Sequence, residues 1–268
     1  MFKILDKYEL APKIHYCLIE APLIAKKANA GQFVVIRLDE KGERIPLTIA
    51  DFDGEKGVIT LVFQELGKTT SMFAKMKKGE YILDLLGPQG NPSEIKNFGN
   101  VVIIGGGIGI APVYLLAKTL RGLKNHVTAI LGYRSKEFIF WQDKMQLVSD
   151  RLLISTNDGS FGKKGFVTDV LRGIIGSNDK IDKVFAIGPA EMMRAVAELT
   201  KTKNISTIVS LNSLMVCSMG MCGACRVTVG KKTKFTCMDG PDFDANEIDF
   251  DELIKRLNTY KNEECSCK

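Results

Sequence analysis

The chain has 268 residues, 45% of them hydrophobic and 25% charged, with a formal net charge of +6. That length suits two compact domains with a small appendage, and the mix is that of a globular protein, not a disordered or fibrous one. No apolar run reaches membrane-spanning length, the N-terminal MFKILDKYEL lacks the apolar core of a secretory leader, and no nucleic-acid motif accompanies the scattered lysine pairs.

Residues 1–98 read as short strands broken by turns: FVVIRL at 33–38, VITLVF at 58–63 and YILDL at 81–85, punctuated by Gly42, Asp53-Gly54, Gly79 and Gly87-Pro88. Short strands with little helix predict a small antiparallel barrel. The style changes at Gly99-Asn100. Over 99–209, apolar strands at 101–105, 127–132, 151–156 and 183–188 alternate with helices near 112–122, 137–148, 165–175 and 190–201. That alternation predicts right-handed βαβ units and a parallel sheet. From 210 the chain becomes Gly- and Cys-rich, with short strands and an acidic helix near 249–258. The expected fold class is therefore a β barrel plus an α/β domain, with 210–268 as a small third domain and tail.

Gly105-Gly106-Gly107-Ile108-Gly109 follows the first apolar strand of the middle domain and runs into a helix at Ala111-Pro112. Glycines allow a tight turn and close approach of a pyrophosphate, and the helix start supplies free N–H groups and a positive dipole end. Pro112 suits a first-turn position, where its missing N–H costs nothing. The plain alternative is that these glycines only pack a helix against a sheet; strand before and helix after favour a nucleotide. The spacing is GGGxG, and Gly132-Tyr133-Arg134-Ser135, not an acid, closes the second strand. A second turn, Gly188-Pro189-Ala190-Glu191-Met192, also lies at the carboxyl end of a parallel strand, where open α/β sheets bind ligands, and taken alone it reads equally as a turn into a helix whose methionines are core.

Four of the seven cysteines carry the sharpest signal: Cys217, Cys222, Cys225 and Cys237 read C-x₄-C-x₂-C, then eleven residues, then C. This is the plant-type spacing for a [2Fe–2S] cluster. Gly220, Gly223 and Ala224 leave room for backbone N–H groups to reach the sulfurs. Structural zinc would ask for two C-x₂-C knuckles, and a disulfide framework suits a small secreted chain; neither pattern is present. Thiolate ligands point to a reducing cytoplasm. Cys17 reads as a small buried hydrophobe, His15 and His126 as structural. Cys265 and Cys267, in the polar tail, stay open as free thiols, a metal contact or a subunit contact.

Together these motifs resemble the ferredoxin–NADP⁺ reductase-like flavoproteins, and within them the branch with a C-terminal [2Fe–2S] domain. That branch includes the electron-transfer subunit of dihydroorotate dehydrogenase B, the small subunits of NADH-dependent reduced ferredoxin:NADP⁺ oxidoreductases and the sulfide dehydrogenase beta subunits. The resemblance spans Ala30-Gly31-Gln32-Phe33-Val34 through Gly240-Pro241-Asp242-Phe243-Asp244. It implies that the barrel binds FAD through Arg44, Pro46, Leu47 and Thr48, with Thr48 near flavin N5. The family's Arg-x-Tyr-Ser/Thr pattern is altered here: arginine precedes Thr48 by four residues and Leu47 replaces tyrosine. It implies an FAD-phosphate loop at Gly67, Lys68, Thr69 and Thr70, a segment that alone reads as an ordinary helix cap. Gly105, Gly106, Gly107, Gly109, Ala111 and Pro112 would hold the NAD pyrophosphate, and Gly188, Pro189, Glu191 and Met192 would lie near the nicotinamide. Arg134, with Ser135 and Lys136, is placed to meet a 2′-phosphate, while the resemblance favours NAD(H). Cys217 stands where some relatives carry aspartate, so an all-cysteine cluster with a different potential is expected.

The resemblance implies an electron-transfer subunit that exchanges a hydride between NAD(H) and FAD, then passes single electrons through the cluster. No side-chain acid or base is needed for that step. The implied partner is a larger subunit with its own flavin and [4Fe–4S] clusters, and ferredoxin is the redox partner of the complex, with electron bifurcation as one mode. The alternatives are the dihydroorotate dehydrogenase B subunit, a sulfide dehydrogenase subunit, and a flavin-free electron carrier.

Overall fold

The structure, a computed structural model, describes residues 1–177 and 179–259; Cys265 and Cys267 lie outside them. In chain order come β1 (Phe2–Ala11), β2 (Ile14–Glu20), α1 (Pro22–Ala25), β3 (Phe33–Arg37), β4 (Ile45–Asp53) and β5 (Val58–Gln64). Then follow α2 (Lys68–Lys75), β6 (Tyr81–Ile82), β7 (Asp84–Gln89), β8 (Asn100–Gly106), α3 (Ile110–Gly122), β9 (His126–Tyr133) and α4 (Gln142–Leu147). Next are β10 (Arg151–Thr156), β11 (Lys163–Lys164), α5 (Val167–Gly176), β12 (Lys183–Ile187), α6 (Ala190–Lys201) and β13 (Thr207–Ser210). The last are β14 (Arg226–Val229), β15 (Lys232–Phe235), α7 (Thr236–Asp239), β16 (Asp242–Asp244) and α8 (Phe250–Leu257).

These elements gather in two compact units. The first joins Met1–Ser93 to Asn212–Pro241 and the described residues from Asp251; the second joins Glu94–Leu211 to Asp242–Phe250. The cysteine-bearing stretch, Asn212–Pro241, thus has its contacts within the first unit and Asp242–Phe250 within the second. In the first unit seven antiparallel strands run in the order β6-β1-β2-β5-β4-β3-β7. The two edge strands, β6 and β7, are separated in sequence only by Leu83, so the sheet must curl round until its edges meet. That is the barrel the sequence predicted, nearly closed. The 81–85 strand is split at Leu83 because Tyr81–Ile82 pairs with β1 while Asp84 onward pairs with β3. Gly87-Pro88, read as a turn, lies inside β7, where an edge strand tolerates a residue with no N–H. Ile4, Ile19, Ile36, Ile49, Ile59, Leu61 and Phe63 fill the interior. Phe73 of α2 stacks on Phe63 with ring centroids 4.3 Å apart, and burial of each ring contributes about 1.5–3 kcal/mol. That stack fixes α2 on β5.

In the second unit the order is β11-β10-β9-β8-β12-β13-β16, parallel except for β16. The chain leaves β8 outward through β9 and β10, then returns to β12 on its other side. The β8/β12 junction is therefore the switch point of the sheet, the place where open α/β sheets take up ligands. The helix expected over 137–148 is shorter: a 3₁₀ turn at Lys136–Phe138 precedes α4, and Trp141, at its N-cap, has the left-handed φ of +56°. At the start of β8 the Asp182 carboxylate accepts the Asn100 N–H at 2.8 Å and its side-chain amide at 3.0 Å, and pairs with Lys180 at 2.9 Å. The Asn100 N–H, then Lys180, pull its pKa from 3.8 to about 2. A depressed carboxylate contributes stability in full above its unfolded value and loses it as pH falls through its folded one. Thermal melts should accordingly show Asp182→Asn less stable than wild type at pH 7. The gap should narrow between pH 4 and pH 2, and a gap independent of pH would refute the assignment.

Candidate functional site

The two glycine turns of the second unit meet at the switch point. A Cβ on Gly106 would stand 2.4 Å from Met192 Sδ, and one on Gly188 would stand 2.7 Å from Met192 Cε and 3.2 Å from the Gly106 Cα. Gly109 packs the start of α3 against the end of β12, since an added Cβ would fall 2.3 Å from the Ile187 carbonyl oxygen. Gly105 is similarly pressed on Ile110. Gly107 differs: its φ is +55°, it is exposed, and nothing lies within 4 Å of the position a Cβ would take. Three glycines close the turn by packing, and Gly107 alone of the four leaves it open. Ala111 and Pro112 are buried in the first turn of α3 and contribute backbone and packing. Pro189 is the N-cap of α6, with Glu191 exposed in its first turn.

Arg134 is exposed beyond the end of β9, on a loop held by the loop after β10. Asn157 N–H reaches the Tyr133 carbonyl at 3.1 Å, Asp158 N–H the Arg134 carbonyl at 3.3 Å, and Lys136 N–H the Ser160 Oγ at 2.7 Å. The buried Tyr133 hydroxyl donates to the Phe140 carbonyl at 2.8 Å, and burial pushes its pKa up.

In the first unit, Arg44 is exposed at the approach to β4, and Pro46, Leu47 and Thr48 are half-buried along it. Thr69 is buried and donates to Glu43 Oε2 at 3.1 Å, which joins the segment around Arg44 to the start of α2. Thr70 Oγ1 accepts the N–H groups of Leu66 and Gly67, both at 3.0 Å, and so caps α2. The first intrahelical bond runs from Ser71 N–H to the Gly67 carbonyl. The N–H groups of Lys68, Thr69 and Thr70 precede it and have no helical acceptor, and no atom lies within 4 Å of a Cβ placed on Gly67. An anion-binding helix start requires this combination.

The cysteines stand as two pairs. Cys225 and Cys237 are buried with their sulfurs 3.3 Å apart, packed with Phe33, Val35 and Met215. Cys217 and Cys222 lie at the outer side, with Cys222 N–H 3.3 Å from Cys217 Sγ. Met219 N–H approaches the same sulfur at 3.4 Å, and Ala224 N–H approaches Cys222 Sγ at 3.4 Å. The N–H groups of Met219 and Cys222 bring the Cys217 thiol down to about 6, a shift that favours its thiolate form. Burial, then the Cys225 thiol, pushes Cys237 up to about 11. Ser218, at φ +56°, buries an Oγ that has no partner among the described residues. No three His, Cys, Asp or Glu side chains among those residues converge as they would on one metal ion. Two pairs of cysteine sulfurs, the outer pair with N–H groups aimed at it and an orphaned hydroxyl beside it, fit a binuclear iron–sulfur cluster that would take two thiolates on each iron.

Register connects this centre to β4. Thr48 lies opposite Phe33 and Pro46 opposite Val35. Directly opposed residues share a face, so Pro46 and Thr48 point to the side of the β3–β4 pair that packs on Cys225 and Cys237. His15 is buried in the barrel, stacked on Phe63 and bonded to Glu65, whereas His126 is exposed at the amino end of β9, away from the glycine turns. Cys17 is buried and its thiol is pushed up to about 12 by burial. Glu43, Arg226 and Arg256 also touch these segments; only Arg226, next to Cys225, had a local signal in the sequence.

Barrel, parallel-sheet unit and paired cysteines define a nucleotide-linked iron–sulfur oxidoreductase. Residues 103–198 match the oxidoreductase NAD-binding domain, and 212–249 match the iron–sulfur cluster binding domain of dihydroorotate dehydrogenase B. The chain is 46% identical to the dihydroorotate dehydrogenase B (NAD⁺) electron transfer subunit homolog of Thermotoga maritima, over 98% of its own length and 92% of that protein's. It is 45% identical to a chain of the NADH-dependent reduced ferredoxin–NADP oxidoreductase structure, solved for insight into flavin-based electron bifurcation. There the TM-score is 0.95, covering all of this chain and 96% of that one. A ferredoxin–NADP⁺ reductase from Neisseria gonorrhoeae shares the fold, with a TM-score of 0.63 at 20% identity over 75% of this chain and 89% of that one. The chain belongs to the family of dihydroorotate dehydrogenase B-type electron transfer subunits. Its class is an NAD(P)H-dependent oxidoreductase, and the family's members act as subunits of larger complexes. Among the described residues no helix is long and apolar enough to cross a membrane.

Proposed function

We propose that this chain is the NADH-linked electron-transfer subunit of a ferredoxin:NADP⁺ oxidoreductase working in the cytoplasm, with a larger subunit that carries its own flavin and [4Fe–4S] clusters. FAD held here would supply two-electron chemistry toward nicotinamide and one-electron chemistry toward a [2Fe–2S] cluster, which would carry electrons one at a time. Gly105 to Gly109 and Gly188 to Met192 receive the dinucleotide, with the open side of Gly107 toward the pyrophosphate. Arg44 to Thr48 and the first turn of α2 hold the FAD, with Thr48 at the flavin. Cys217, Cys222, Cys225 and Cys237 hold the cluster.

The shared face of β3 and β4 carries this reading, because it puts the Thr48 segment and the buried cysteine pair on one side of two hydrogen-bonded strands. A second reading, the electron-transfer subunit of a dihydroorotate dehydrogenase, is favoured by the match of 212–249 to that enzyme's iron–sulfur domain. Copurification of the tagged chain with its partner separates the two. The first reading expects FAD, iron and sulfide, and NADP⁺ reduction that needs both NADH and reduced ferredoxin. A complex with FMN in its partner that oxidises dihydroorotate and leaves NADP⁺ untouched would establish the second.

A further inference from the structure

The turn from Cys222 to Cys225 carries a guanidinium on the carbonyl of each of its two middle residues, Gly223 and Ala224. The Gly223 carbonyl accepts the Arg226 main-chain N–H at 3.3 Å and Arg226 Nη1 at 3.4 Å. The other end of that peptide, the Ala224 N–H, lies 3.4 Å from Cys222 Sγ. The Ala224 carbonyl accepts Arg256 Nη2 at 2.8 Å, and its peptide continues into Cys225. Arg226 opens β14 and is exposed; Arg256 is half-buried and belongs to the last turn of α8, 32 residues beyond Ala224.

Hydrogen bonds from charged donors are about twice as strong as neutral ones, and a bond to a peptide carbonyl polarises the N–H at the peptide's other end. The Gly223–Ala224 peptide therefore presents a stronger donor to Cys222 Sγ than an unassisted peptide would. Hydrogen bonds to sulfur and nearby positive charge both favour the reduced cluster, which carries one more negative charge. The half-buried arginine acts through less screening water than the exposed one.

We infer that Arg256 and Arg226 are positioning residues that clamp the Cys222–Cys225 turn and raise the reduction potential of the cluster it holds, with Arg256 the stronger. The inference rests on the cluster reading above. It makes α8 part of the redox centre, although none of its residues is a ligand.

The test is an anaerobic redox titration of the purified full chain, followed by electron paramagnetic resonance, with iron and acid-labile sulfide assayed on the same samples. Arg256→Gln is expected to keep iron and sulfide and to bind its electron roughly tenfold less tightly, a midpoint lower by about 59 mV for a one-electron couple. Arg226→Gln should move the midpoint the same way by less, and Arg256→Lys, which keeps the charge, should sit between wild type and Arg256→Gln. Equal midpoints for wild type, Arg256→Gln and Arg256→Lys at full iron content overturn the inference, as does an upward shift. Should Arg256→Gln lose its iron, Arg256→Lys and Arg226→Gln must still lower the midpoint, and unmoved midpoints in both overturn it. A wild-type chain devoid of iron and sulfide refutes the cluster reading itself, an outcome distinct from an unmoved midpoint.

Discussion

Cys225→Ser and Cys237→Ser chains are expected to retain at least about tenfold less iron and sulfide than wild type, and to lose the visible bands of the cluster. Even changes to groups that merely support metal ligands typically cost 10–100-fold in affinity, so removal of a ligand costs no less. These two thiols also have the greater structural consequence. They are buried against Phe33, Val35 and Met215, and a serine hydroxyl there faces apolar neighbours. An unsatisfied buried hydroxyl costs about 1–3 kcal/mol. The variants should thus melt earlier as well as bleach. Cys217→Asp should behave differently, because Cys217 lies on the outer side of the centre and its sulfur is served by main-chain N–H groups that an oxygen can also accept. It should keep its iron and change its potential. Iron analysis and absorbance spectra test both expectations; equal iron in Cys225→Ser and wild type would remove the buried pair from the ligand set.

That contrast shows which features were legible in the sequence. Three of the four proposed cysteine ligands sit on one local loop and Cys237 follows on α7 after a short hairpin, and that spacing is itself the chemical requirement, so the sequence carries them directly. The parallel sheet was equally plain, because its period and its glycine turns repeat. Non-local features were not. Phe33 and Val35 look like any alternating strand residues, and nothing nearby marks them as the wall behind Cys225 and Cys237. The split at Leu83 depends on which edges of the barrel meet. Trp141 shortens a helix without a glycine to announce its left-handed backbone. The FAD segments were legible only through resemblance, since Gly67–Thr70 alone reads as an ordinary helix cap, and Thr70, in the first turn, does accept the N–H of the N-cap residue Gly67.

Gly107 and Gly109, two residues apart, should respond oppositely to substitution. A Cβ on Gly109 would sit 2.3 Å from the Ile187 carbonyl oxygen and 2.9 Å from the Gly188 nitrogen, both main-chain atoms at the end of β12. Neither can swing aside as a side-chain tip can, so Gly109→Ala must push α3 away from the sheet. Overpacking of that kind costs about 1–3 kcal/mol, or roughly 2–4 °C of melting temperature per kcal/mol in a chain of this size. Its loss of NADH binding would follow from the displaced turn. Gly107→Asn meets open space, and asparagine tolerates the left-handed φ of +55° better than most residues. It should melt close to wild type, yet its side chain occupies the approach to the turn's free N–H groups. NADH affinity should fall about tenfold or more, about 1.4 kcal/mol. Calorimetric melts and NADH titrations on both variants separate the two effects. If Gly107→Asn binds NADH as tightly as wild type, the open side of this turn does not hold the dinucleotide, and the glycines serve packing alone.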